Sequence, residues 1–378
     1  MPWKKVTTMS LRLEFVKFAL VDGSNISELC RRFDISRKTG YKWINRFLNK
    51  GYSGLSNHSR RPKTTPNRTD KVLENAVVGV RKLHPAWGGR KIRKRLQDIG
   101  WKEVPAPSTI TAILRRNGCI DLFEARKHSA WQRFEAETPN DLWQMDFKGH
   151  FASEQGRCHP LTVLDDHSRY SLGIQACSDE KTMTVQQRLI SIFRHYGLPK
   201  QMLMDNGSPW GSDNRHIFTQ LTAWLIRQGI GIIHSRPFHP QTLGKDERFH
   251  RTFKAEVGQY CIGLTLDQCQ RRFDAWRHVY NLQRPHEALD MHVPASRYKP
   301  SRRQYKENPP PVEYGPDDQV RKVQQGGWIS YRGKEYRIPS AFYGDRIAVR
   351  PTEDDGLFDV YFCNQKIAKL NVKEQGKL

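Results

Sequence analysis

The sequence predicts a multidomain protein: tandem all-α helix-turn-helix units, then an α/β core, then a small carboxy-terminal β domain. Three observations carry that expectation. At 378 residues the chain exceeds what one hydrophobic core usually organises. Apolar spacing is helical up to residue 120, alternates between strand and helix through the middle, and ends in short strand-like runs separated by Gly and acidic turns. Lys and Arg outnumber Asp and Glu 63 to 39, and residues 1–130 hold 28 bases against 10 acids, which is +18 of the net +24. Charge so placed points to a polyanionic partner, nucleic acid first, held by the amino-terminal third.

The remaining bulk properties narrow the class. With 37% hydrophobic and 11% aromatic residues the composition is globular rather than disordered. Seven cysteines are scattered without a Cys-x-x-Cys pair, which signals neither a disulfide framework nor a zinc ribbon and fits a reducing interior. Leu11 to Leu20 carries Arg12, Glu14 and Lys17, so it is no signal peptide, and no apolar run approaches a membrane span. The expectation is a cytoplasmic, nucleoid-associated protein with no membrane partner.

From the amino terminus, Leu11 to Val21, Ile26 to Phe33 and Arg37 to Leu48 read as helices, with Asn25 or Ser24 and Ser36 as N-caps. The third would pack Tyr41, Ile44 and Leu48 and expose Arg37, Lys38, Lys42 and Arg46 to a DNA major groove. Residues 1–50 make this first domain, and 51–69 a basic linker whose Arg60, Arg61 and Lys63 suit an adjacent minor groove. Residues 70–120 repeat the trihelical pattern over Asp70 to Leu83, Gly89 to Gly100 and Ser108 to Asn117, stopped by Gly118. Arg90, Lys91, Arg93 and Lys94 crowd the start of the middle helix as phosphate contacts, and Arg115 and Arg116 lie on a second recognition helix. Two reading heads in tandem can cover more than one turn of duplex.

Residues 121–139 form a second linker, and the core follows over 140–298. Leu142 to Gly149, Leu161 to Leu164 and Tyr170 to Gln175 are expected strands, the last two joined by a hairpin turn at Asp165 to Arg169. Trp143, Met145 and Phe147 alternate against Gln144 and Asp146, as a half-buried strand requires. A helix over Lys181 to Tyr196, a strand over Gln201 to Met204 closed by Asp205, a helix near Arg215 to Gln228, a strand over Gly231 to His234 and a helix after Gly244 give the order β-β-β-α-β-α-β-α. Phe273 to Asn281 adds one helix. Residues 299–318, with Pro309, Pro310 and Pro311, form a linker. Between 319 and 378, strands at Gln319 to Val323, Trp328 to Ile338, Arg346 to Arg350, Leu357 to Cys363 and Gln365 to Leu370 suggest a small barrel.

The stretch His239 to Lys254 sets a carboxylate among cations. Glu247, His250, Arg251 and Lys254 are spaced i, i+3, i+4 and i+7 on one helical face, with Lys245 and Arg248 beside them. Such a stripe suits a site that holds a metal ion together with the phosphates of a polyanion. One glutamate is too few ligands for a hard cation, and Asp146 in a strand and Asp205 at a strand end are the partners on offer. Each acid alone reads as an ordinary strand-edge, turn or helix-start residue. Asp165 and Asp166 are rivals, and with Ser168 and Arg169 they read as the hairpin turn.

Trp143 to Lys148, Asp165 to Arg169, Asp205 to Ser208 and Pro240 to Arg248, followed by Tyr280 to His286 and Pro294 to Tyr298, resemble the catalytic core of DDE insertion-sequence transposases with a retroviral-integrase-like fold, close to the insertion sequence 481 group. The resemblance is strong over residues 140–298. It implies a ribonuclease-H-like core with a mixed sheet and, by placement and size, an SH3-like carboxy-terminal β-barrel. It implies that Asp146, Asp205 and Glu247 are a catalytic, metal-binding triad for two Mg²⁺ ions, replaceable by Mn²⁺. The 41 residues between Asp205 and Glu247 exceed the usual retroviral spacing and imply a longer loop. The implied activity is cleavage at a mobile element's terminal inverted repeats and joining of the freed 3′-hydroxyls to target double-stranded DNA. Lys245, Arg248, Arg251 and Lys254 would then follow the DNA backbone, and a homo-oligomer would pair the two ends. A non-catalytic DNA-binding regulator would leave three acids without a use, and an RNA-cleaving hybrid nuclease needs no duplex-reading heads.

Overall fold

The computed structural model describes residues 7–59, 68–120, 135–154, 156–211, 217–235 and 244–373. The chain divides into two units, Met1–Arg68 and Thr69–Leu378.

In the first unit Thr7, Asn25 and Ser36 start helices α1 (Thr8–Ala19), α2 (Ile26–Arg32) and α3 (Arg37–Lys50), each side-chain oxygen accepting N–H groups from the first turn. The caps at Asn25 and Ser36 are those expected. The packing of α3 is not: it buries Gly40, Trp43 and Ile44, with Phe47 alongside, and leaves Tyr41 and Leu48 exposed. The stripe that contains the tryptophan removes more apolar area from water than one begun at Tyr41. Gly40 is needed where α3 crosses its neighbours, because a Cβ there would stand 2.6 Å from the Cys30 sulfur and 2.9 Å from the Phe15 ring. The start of the expected linker belongs to this core too. A 3-10 turn over Gly51–Leu55 buries Leu55, whose carbonyl accepts from Arg12 at 2.8 Å.

The second unit opens with α4 (Lys71–Leu83), α5 (Gly89–Asp98) and α6 (Pro107–Arg116), packed around Val77, Trp87, Ile92, Leu96, Ile110 and Ile113. Strands β1 (Leu142–Phe147), β2 (Phe151–Ser153), β3 (Gly156–Asp165), β4 (Ser171–Cys177), β5 (Gln201–Met204) and β6 (Gly231–His234) then build one sheet in the order β2-β3-β1-β5-β6, with β4 paired to β3. The sheet is mixed, since β1–β5 and β5–β6 are parallel and the other pairs antiparallel. Two details depart from expectation. The three-residue β2 is too short to show alternation, and β1 is central rather than half-exposed, so Gln144 is as buried as Trp143.

Helices cover both faces. On one, α7 (Thr182–Tyr196) and α8 (Gln220–Arg227) lay Val185, Leu189, Phe193, Leu221 and Leu225 against Trp143, Met145, Leu161 and Val163. On the other, α9 (Gly244–Glu256) and α10 (Leu266–Leu282) lay Phe249, Phe253, Phe273 and Trp276 against Leu164, Ile174 and Ala176. Residues 299–318 run as a packed strap rather than a free linker. The Arg303 carbonyl accepts the Leu198 N–H at 2.7 Å, and the Arg303 guanidinium donates to the Gly229 carbonyl at 2.6 Å. Arg215, in the expected helix before Gln220, lies outside the described residues.

The carboxy-terminal strands β7 (Gln319–Lys322), β8 (Trp328–Tyr331), β9 (Lys334–Arg337), β10 (Arg346–Pro351), β11 (Leu357–Phe362) and β12 (Gln365–Asn371) fall close to the expected positions. They do not close into a barrel. Four form an open antiparallel sheet, β12-β11-β10-β7, while β8 and β9 form a separate hairpin turned at Arg332 and Gly333, so β7 and β12 remain edges. All seven cysteines are free, and among the described residues no helix is long and apolar enough to cross a membrane.

Candidate functional site

The parallel ladder between β1 and β5 brings two of the expected acids together. Leu142 pairs with Gln201, Trp143 with Met202 and Gln144 with Leu203, and the same register carried forward sets Asp146 level with Asp205 just past the end of β5. The Asp146 carboxyl is pushed up to about 7, first by burial and then by the negative charge of Asp205. Asp205 is also raised, by burial, against the lowering effect of a 3.0 Å bond from the Gly207 N–H. Its carbonyl lies 2.9 Å from His234 Nδ1, which fixes the strand end.

Helix α9 flanks this pair through His250. His250 Nδ1 stands 3.9 Å from Asp146 Oδ2, and its Nε2 lies 2.7 Å from the Thr162 hydroxyl, which donates to the Asp146 carbonyl at 2.9 Å. Burial, helped by Lys148, drives the His250 pKa down to about 3, so the ring is neutral at physiological pH. Glu247, three residues earlier and on the same face, is exposed. The structure therefore joins Asp146 to Asp205 and leaves Glu247 on the open flank of the adjacent helix. Among the described residues no group of three or more His, Cys, Asp or Glu side chains stands in metal-holding geometry.

Several nearby groups escaped the sequence reading. Asp246 is fully buried with neither carboxyl oxygen hydrogen-bonded, and burial, then Asp146 and Asp166, push its carboxyl well above the usual range. Glu180, bonded to His159 at 2.7 Å, adds negative charge that raises both Asp146 and Asp205. Asp165 does form the expected turn, accepting from Ser168 N–H at 2.8 Å. Asp166 stands in the same turn, but its side chain is fully buried and takes bonds from Ala136, Gln144 and Lys245.

The basic residues separate into outward and inward sets. Arg37, Lys38 and Lys42 are exposed on α3, while Arg46 leans over the Trp43 ring at 5.1 Å. Arg60, Arg61 and Lys63 lie outside the described residues, as does the loop 236–243. On α5, Arg90 is exposed and 3.8 Å from Glu287, but Lys91 is half-buried, and burial and then Arg284, just past α10, pull its pKa down to about 7. Lys94 pairs with Asp98, and Arg93 is half-buried. On α6, Arg115 is exposed and Arg116 is tied to the buried Glu74 at 2.8 Å. On α9, Arg248, Arg251 and Lys254 face outward beside Glu247, whereas Lys245, expected to join them, turns inward because Asp166 offers it a buried counter-charge.

Comparison with known proteins adds independent findings. Residues 318–378 match the family model of the IS481 family transposase C-terminal domain, and residues 136–240 and 228–294 match integrase core domain models. Residues 11–63 match a helix-turn-helix domain and 39–114 a homeodomain-like domain. The insertion element IS476 uncharacterized 39.2 kDa protein of Xanthomonas euvesicatoria is 25% identical over 250 residues, covering 64% of this chain and 69% of that protein. The insertion element IS407 uncharacterized 31.7 kDa protein of Burkholderia multivorans is 28% identical over 157 residues, covering 42% and 54%. Among solved structures, the HTLV-2 integrase catalytic core domain in complex with magnesium aligns at 16% identity and a TM-score of 0.35, over 44% of this chain and 100% of its own.

Proposed function

We propose that this chain, which belongs to the DDE transposases of IS481-type insertion sequences, binds the terminal inverted repeats of its element, cuts phosphodiester bonds at the element ends and joins the 3′-hydroxyls to target DNA. The observation that carries the chemistry is the level pair Asp146 and Asp205 at the end of two parallel strands, each holding its proton more tightly than a free carboxyl does. Glu247, on the helix that His250 docks against Asp146, is the third acid of the proposed set.

These residues suit a hard divalent cation. Paired carboxylates carry a charge excess that a cation relieves, and an all-oxygen donor set favours Mg²⁺, with Mn²⁺ as a substitute. When bound, two such ions would activate the attacking oxygen and offset charge on the leaving oxygen. The chain's own contribution is placement. The β1–β5 ladder fixes the first two carboxylates side by side, and Thr162 and neutral His250 brace the backbone and flank of Asp146 without introducing a competing cation. Arg248, Arg251 and Lys254 extend from Glu247 as an exposed cationic stripe for the DNA backbone. Arg37, Lys38 and Lys42 enter a major groove, the Arg60 to Lys63 linker follows the adjacent minor groove, and Arg115 belongs to the second reading head. Joining two ends at once calls for a homo-oligomer.

The test is cleavage and joining of a terminal-repeat duplex by the purified chain with Mg²⁺ or Mn²⁺. Asp146→Asn, Asp205→Asn and Glu247→Gln should each abolish both reactions while the duplex is still bound. Wild-type activity in any one removes that residue from the set, and a wild-type protein that shifts the duplex without nicking it is a regulator.

A further inference from the structure

Helix α9 carries a lysine where helices disfavour one. Lys245 sits in the first turn, at the positive end of the helix dipole, and only 15% of its side chain is exposed. Both penalties are local, so the compensation must come from what the lysine touches. Its ammonium lies 2.5 Å from Asp166 Oδ2 and 3.1 Å from the Asp166 carbonyl, so two oxygens of one residue grip it. Asp166 is itself immobilised. Its Oδ2 also accepts the Ala136 N–H at 2.7 Å, its Oδ1 accepts Gln144 Nε2 from the middle of β1 at 2.6 Å, and its own N–H donates to the Leu142 carbonyl at 2.9 Å. The ion pair therefore ties the start of α9 to the strand that carries Asp146.

Helical geometry gives the tie a consequence. At about 100° per residue, Lys245 and Glu247 lie on opposite margins of the stripe through which α9 enters the core. That stripe is Asp246, Phe249, His250 and Phe253. A rotation of α9 that moves Glu247 must also drag Lys245 off Asp166.

We propose that Asp166 and Lys245 are positioning residues, a buried pin that sets the rotation of α9 and so fixes where Glu247 stands on the flank of the helix that His250 docks beside Asp146. This rests on Glu247 being a catalytic acid. The pin touches neither DNA nor the reacting phosphate. It acts through the helix, and the misplacement it prevents is of the kind that slows a reaction without weakening binding.

The experiment uses the full chain with a terminal-repeat duplex and compares wild type, Lys245→Met, Asp166→Asn, the double variant and Glu247→Gln. Lys245→Met should lower cleavage and joining about tenfold or more, raise the Mg²⁺ concentration for half-maximal activity, and leave duplex affinity and its salt dependence unchanged. The double variant should lose less activity than the two single losses combined, because both changes remove the same ion pair; fully additive losses overturn the pin. A folded Lys245→Met with wild-type activity and Mg²⁺ requirement overturns the proposal. So does one that loses duplex affinity with a shallower salt dependence, since the lysine is then a DNA contact. If Asp166→Asn does not fold, Lys245→Met decides alone. Full activity in Glu247→Gln would instead sink the assignment of the third acid, whatever the pin does.

Discussion

Replacing Asp146 by Asn should stabilise the free protein while destroying its activity. The carboxyl titrates near 7 in the fold instead of at its ordinary 3.8, because burial and then the neighbouring Asp205 charge oppose ionisation. The native state thus binds this proton more tightly than the unfolded chain does. Stability from the group is present at low pH and is lost as pH rises through about 7. Carrying a carboxyl from 3.8 to about 7 corresponds to a ceiling of ~4 kcal/mol at ~1.36 kcal/mol per pH unit. The side chain is 26% exposed and its repulsion is shared with Asp205, which brings the expectation to ~1–2 kcal/mol. Urea denaturation in chelator-containing buffer should show Asp146→Asn more stable than wild type at about pH 8, with the two converging toward about pH 4. Millimolar Mg²⁺ should narrow the gap by binding the wild-type native state. An amide variant equal to or weaker than wild type at the higher pH would refute the electrostatic account of this site.

Two further expectations follow from other parts of the chain. Lys42→Ala, on the exposed face of α3, should weaken terminal-repeat binding and reduce the slope of log affinity against log salt by ~1, read by fluorescence anisotropy across a salt series; an unchanged slope takes Lys42 out of the interface. Gly197→Ala should destabilise the second unit by ~1–3 kcal/mol in denaturant titrations, because the backbone there has φ +78° and a Cβ would stand 2.7 Å from the Arg303 carbonyl oxygen. Unchanged stability would mean that the strap over residues 299–318 shifts aside freely.

Local pattern made most of the fold legible, and the misses share one cause. Caps at Asn25 and Ser36 and the apolar stripes of the helices are set by neighbours within a turn, so sequence spacing locates them. Choosing Trp43 over Tyr41 as the buried aromatic of α3 required the neighbouring helices, where Arg12 lies 3.8 Å over the indole. Asp166 shows the limit most sharply. An Asp-x-x-Ser turn accounts for Asp165, whose partner is three residues away, but Ala136, Gln144 and Lys245 reach Asp166 from 30, 22 and 79 residues away. Thr162 likewise joins the site through the pairing of β3 with β1, and Glu180 through its charge and its bond to His159, neither of which sequence spacing announces. Motif points to Asp146 and Asp205, yet their level placement comes from parallel register, which is a property of the assembled sheet.

The most direct test is the anomalous signal of Mn²⁺ in crystals of the protein bound to its terminal-repeat duplex. The account predicts metal peaks within ~2.0–2.3 Å of carboxylate oxygens from Asp146, Asp205 and Glu247 together, beside the phosphate to be cut. Peaks that draw no oxygen from Glu247, or that form away from the ends of β1 and β5, would contradict it.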